Sequence, residues 1–89
     1  MNVWEIAILR IVKYRGGYAN TQEIYKELES GRFKTLSKKD LIKTNYGGRP
    51  AYQHQVRSHL SNLTQAGDLK RIARGTYALT EKGLKRIRE

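Results

Sequence analysis

The stretch Ala66-Gly67-Asp68-Leu69-Lys70-Arg71-Ile72-Ala73-Arg74-Gly75-Thr76-Tyr77-Ala78-Leu79-Thr80-Glu81-Lys82-Gly83 decides the fold. Residues 69–72 and 76–79 read as two short strands around a tip at Ala73-Arg74-Gly75, the spacing of a β-hairpin. Gly75 supplies the positive φ that a tight turn needs. Gly67 stands where a left-handed residue closes a preceding helix. Thr80-Glu81 opens a last helix over residues 81–88, with Leu84 and Ile87 facing inward. A basic hairpin is thus set between two helices.

Upstream, the best-defined helix runs from about Ala51 to Ala66. Pro50 suits its first turn, having no amide hydrogen to satisfy there. Tyr52, Val56, His59/Leu60 and Leu63 share one face. Gln53, His54, Arg57, Ser58, Ser61 and Gln65 lie on the other, all polar and only one charged. An ordinary solvated face is richer in Lys and Glu, whereas a face that reads base edges needs hydrogen-bonding Gln, Arg, Ser and His.

Further upstream, Trp4, Ala7, Ile8, Ile11 and Val12 form a buried stripe on a helix from about Asn2 to Tyr14. Ile6 and Leu9 fall on its opposite side, so either later elements or a partner subunit must cover them. Gly16-Gly17 ends this helix. Asn20-Thr21-Gln22-Glu23 has capping-box spacing and starts a second helix with Ile24, Tyr25 and Leu28 inward, closed by Gly31. Ser37-Lys38-Lys39-Asp40 caps a short helix reaching about Lys43, and residues 44–50, with Gly47-Gly48 and Arg49-Pro50, form a loop. The expected fold is a single mainly α domain with a small β-hairpin over residues 1–89: a winged helix-turn-helix. In that architecture the helix before the hairpin enters the major groove, and the hairpin, the wing, lies against the backbone.

Charge supports a polyanionic partner. The chain holds 18 Lys/Arg against eight Asp/Glu, a net charge of +10. Residues 1–31 carry four of each sign, so residues 32–89 carry the whole excess. That asymmetry turns one face toward a polyanion. The base-reading candidates are Gln53, His54, Arg57, Ser58 and Ser61; the phosphate-contact candidates are Lys38, Lys39, Lys43, Arg49, Lys70, Arg71 and Arg74. Tyr25, Tyr52 and Tyr77 sit at core positions, which leaves the loop residue Tyr46 as the tyrosine most open to nucleic acid.

Other chemistries find no support. His54 and His59 stand five apart on one helix, about 140° from each other, so they do not form a zinc pair. Asp40, Asp68, Glu81 and Glu89 are scattered, whereas metal-assisted phosphodiester cleavage needs convergent carboxylates. Neither glycine pair is followed by Lys-Ser/Thr, so neither is a phosphate-binding P-loop. No cofactor, metal, small-molecule substrate or membrane partner is expected. No apolar run is long enough to span a bilayer, and the absence of cysteine fits a reducing cytoplasm.

The run Thr21-Gln22-Glu23-Ile24-Tyr25, Gly48-Arg49, Tyr52…Val56…Leu63…Ala66-Gly67 and Arg74-Gly75-Thr76-Tyr77-Ala78-Leu79-Thr80-Glu81-Lys82-Gly83 resembles the N-terminal winged-helix domain of Mrr-like type IV restriction endonucleases. The resemblance spans nearly the whole chain. It implies a DNA-recognition role, with Gln53, His54 and Arg57 on the recognition helix and Arg74 on the wing. This chain departs from the family at Ser58 and His59, where a large aromatic is usual, and at Lys38 and Lys39, where the short helix is usually acidic. The family continues into a nuclease domain that these residues do not contain, so a non-enzymatic duplex-DNA binder is expected, acting as a small regulator or as the recognition part of a restriction or mobile-element system. The rival expectations are a protein-interaction module or homodimer through Ile6 and Leu9 on helix 1, and duplex RNA binding.

Overall fold

The computed structural model describes residues 2–43 and 47–88. Its elements run α1 (Val3–Tyr14), β1 (Tyr18–Asn20), α2 (Thr21–Glu29), α3 (Lys38–Leu41), α4 (Ala51–Ala66), β2 (Leu69–Ala73), β3 (Thr76–Leu79) and α5 (Glu81–Ile87). Tyr46 lies outside the described residues. The order of helices, with the hairpin following α4, is that of a winged helix.

Local chemistry fixes most boundaries. Asn2 caps α1, its side chain accepting from the Trp4 amide at 2.7 Å. Asn20 and Glu23 form a reciprocal capping box on α2, as do Ser37 and Asp40 on α3. Gly67 ends α4 with φ of 86°. Pro50 stands just before α4 rather than within its first turn. The short helix stops at Leu41, two residues before the expected Lys43, because Ile42 is already extended, and α5 ends at Ile87 rather than Arg88.

The sheet is larger than a hairpin. Tyr18–Asn20 pairs antiparallel with β3, giving three strands in the order β1-β3-β2. Ala73 belongs to β2 rather than to the tip, opposite Thr76, and the register slips between Arg71 and Ala73. Ile72 is therefore the extra residue of a β-bulge, 53% exposed. The turn reduces to Arg74-Gly75, with Gly75 at φ of 71°.

One core lies between α1, α2, α4 and the sheet. Ile8, Leu9, Ile11, Val12, Ala19, Ile24, Leu28 and Val56 are fully buried, with Tyr52, Leu60, Leu63 and Leu69 nearly so. Leu9 is thus covered by later elements and is not available as a contact for a second copy. Ile6 is half-buried and packs on the same core. His59 sits at the core margin, its Nδ1 2.8 Å from a Glu5 carboxylate oxygen.

Two polar features bind the elements together. Asp68, 1% exposed, joins α4 to α5: its amide donates to Leu63, its carbonyl accepts from the Thr80 amide and hydroxyl, and its carboxylate faces Arg86 Nε at 2.9 Å. On the other side, Glu27 receives Arg15 at 3.0 Å and Arg32 at 2.9 Å, and Arg15 also pairs with Glu23. The Arg15 hydrogen bond first, then that of Arg32, holds the Glu27 carboxyl below its ordinary range against the opposing effect of burial. For Glu23 the Asn20 amide comes first and Arg15 after it.

Gly83 is buried, and a Cβ there would lie 2.2 Å from the Asp68 carbonyl oxygen. Gly83→Ala is therefore expected to lower stability by about 1–3 kcal/mol through overpacking, despite the roughly 1 kcal/mol better helix propensity of alanine. A urea midpoint at or above wild type would show that α5 and Asp68 separate freely. Because Glu27 and Glu23 have depressed folded-state pKa values, their stabilisation is present above the ordinary value of 4.5 and is lost as pH falls through the folded values. Glu27→Gln should lower stability near neutral pH and flatten the acid limb of a stability–pH curve; an unchanged limb would remove Glu27 from that account.

Candidate nucleic-acid interface

The interface follows from where α4 and the wing sit. Tyr52, buried at the start of α4, donates its hydroxyl to Glu29 at the end of α2 in a short hydrogen bond. Its ring packs edge-on against Tyr25, centroids 5.8 Å apart. Burial is the first cause that pushes the Tyr52 hydroxyl up to about 12, with Glu29 adding to it and Gln53 opposing. The start of α4 is held from the other side by the Ala51 amide donating to Ile42 at 2.9 Å and by a bridge between Lys43 and Pro50. Helix α4 is thus locked to α2 and α3.

The wing is fixed as firmly. Beyond its pairing with β1, the Gly75 carbonyl at the turn accepts both the amide of Thr21 at 2.9 Å and its hydroxyl at 3.2 Å. The start of α2 therefore touches the tip of the wing, and the space between α4 and the wing becomes a groove of about 660 Å³.

Four arginines from three segments line that groove: Arg49 before α4, Arg57 on α4, and Arg71 and Arg74 on the wing. Gln53, Ser61, Thr64 and Gln65 complete the α4 wall, Thr21 and Gln22 close the end at α2, and Tyr25, Leu60 and Tyr77 form the floor. No carboxylate lines it among the described residues. The ion pairs between described residues engage Arg15, Arg32, Arg86 and His59, and none engages Arg57, Arg71 or Arg74. The field of these cations reaches the floor: burial raises the Tyr25 hydroxyl, while Arg57 and Arg49 pull it back down.

The sequence-derived candidates divide. Gln53, Arg57, Ser61, Arg49, Arg71 and Arg74 converge on the groove. His54 and Ser58 are exposed on α4 but outside it. Lys70, paired with Ala78 and next to the groove-facing Arg71, falls on the other face of the wing by strand alternation. Lys38, Lys39 and Lys43 are exposed on and after α3, beside the start of α4 rather than in the groove. Thr21, Gln22 and Thr64 were not among the sequence candidates. For Thr21 and Gln22 the missing signal was β1, whose pairing with β3 carries the start of α2 to the wing.

A rigid, arginine-walled groove beside an exposed polar helix face can hold a phosphate strand while the helix faces base edges. No helix among the described residues is long and apolar enough to cross a membrane. A family model described as the Mrr N-terminal domain matches residues 4–89. Neither the curated proteins nor the solved structures gave a match to the chain. The family match covers nearly the whole chain and its winged helix, and the protein belongs to the family of Mrr N-terminal domains.

Proposed function

We propose that this domain binds duplex DNA as the recognition module of a restriction system, with α4 in the major groove and the wing on the backbone. The observation that carries this reading is the groove in which Arg49, Arg57, Arg71 and Arg74 meet without a carboxylate among its described lining residues. Like charges gathered this way repel one another, and an anionic strand relieves that repulsion. A B-form major groove about 12 Å wide admits an α-helix, whereas the deep, narrow major groove of A-form RNA does not. The domain contributes recognition, and cleavage belongs to whatever catalytic partner it serves.

The test is salt-graded binding to short DNA duplexes. Arg74→Ala is expected to weaken binding to all sequences alike and to reduce the log–log salt slope by about 0.9, the share of one phosphate contact. Lys13→Ala, on a separate cleft beside Gly16, Gly17 and Leu84, should change neither. Loss of salt dependence in both variants, or equal affinity for a matched RNA duplex, would overturn the reading.

A further inference from the structure

We propose that Arg57 is part of a clamp around a single sugar–phosphate strand, running between α4 and the wing, and that base reading falls to His54 and Ser58. The inference rests on duplex binding as proposed above and divides the labour within it. At 100° per residue, the buried stripe Tyr52, Val56, Leu60 and Leu63 defines the inner side of α4. Arg57 lies about 100° round from Val56, a quarter turn from the core and toward the wing. Ser58 lies about 200° from Val56 and His54 about 160°, so these two stand opposite the core, where a helix inserted in a groove meets the base edges. Both are exposed, and neither lines the groove; Gln65, also opposite the core at about 180° from Val56, does line it, near the far end of α4.

The groove itself suits a backbone and not a base. Arginines stand on both walls, Arg49 and Arg57 on one and Arg71 and Arg74 on the other. Opposed walls of one sign match a strand whose charge is repeated along its length. Gln53 and Ser61, beside Arg57, are donors of the kind that accompany arginine on phosphate oxygens. Tyr25 in the floor is 5% exposed and packed edge-on against Tyr52, so it offers no open ring face for a base to stack on. Tyr77 beside it is half-buried against the core. The wing cannot swing away, because Gly75 is tied to Thr21 and β3 to β1. The spacing of the walls is therefore set before DNA arrives.

The experiment combines Arg57→Ala and Arg57→Lys with duplexes carrying uncharged methylphosphonate linkages, placed singly along each strand and measured at several salt concentrations. Arg57→Ala is expected to weaken every duplex by one common factor and to lower the salt slope by about 0.9. Arg57→Lys, which keeps the charge, should restore the slope. Neutral linkages should cost affinity in one short run on one strand for each bound domain. At one of them Arg57→Ala should add no further loss. His54→Ala and Ser58→Ala should alter base preference with the slope unchanged. A change of preference confined to one base pair in Arg57→Ala, with an unaltered slope, would overturn the clamp and leave duplex binding standing. Equal cost from neutral linkages on both strands would do the same. Wild-type protein that binds no duplex would instead remove the underlying reading, and the clamp with it.

Discussion

The geometry of the arginine-lined groove depends on one backbone oxygen. The carbonyl of Gly75, at the turn of the wing, takes two hydrogen bonds from Thr21, the first residue of α2. A β-hairpin alone is marginally stable in water and would leave the wing free to move against the helices. With β1 on one edge of β3 and Thr21 on the turn, the wing instead belongs to the same rigid body as the core. Only then do arginines from the wing and from α4 share a groove of fixed width, so the entropy of bringing them together is spent in folding and would not be spent again on the proposed binding.

Charge is partitioned accordingly. The acidic residues of α2 are used inside the protein: Glu23 and Glu27 hold Arg15 and Arg32, and Glu29 receives the Tyr52 hydroxyl. None of them is spent on the groove-facing arginines Arg57, Arg71 and Arg74. The acids of the neutral first third are thus taken up within the fold, by Arg15, Arg32, His59 and the Tyr52 hydroxyl, while the cationic remainder keeps its excess. Surface ion pairs contribute little to stability individually, but here they decide which positive charges remain uncompensated.

Much of this was legible in the sequence where the signal is local. The bounds of α4 follow from Pro50, the apolar stripe and Gly67, and the two capping boxes announce α2 and α3. What failed was non-local. β1 is three residues long with only Ala19 buried, too short for any periodicity, and it is a strand only because β3 lies beside it. The bulge at Ile72 was equally invisible, since it depends on register with β3 and not on any residue type. The same limit applies to the site. The arginine candidates were found from charge and element order. Which of them face one another depends on helix angle and strand alternation, which divide Arg57 from Ser58 and Arg71 from Lys70. Gln22 had no signal, because its place in the groove comes from a contact across 54 residues, Thr21 to Gly75.

The β-bulge has a bearing on self-association. In the order β1-β3-β2, the wing's β2 is an edge strand with a row of unsatisfied backbone groups facing outward. Two devices keep such an edge from pairing with a neighbour: the charges of Lys70 and Arg71, and the register break at Ile72. On the duplex proposed above, a strand in the groove would neutralise Arg71, just where copies would lie side by side. The break in the ladder does not depend on charge. It would remain to keep adjacent wings from zipping into a continuous sheet whatever the groove holds.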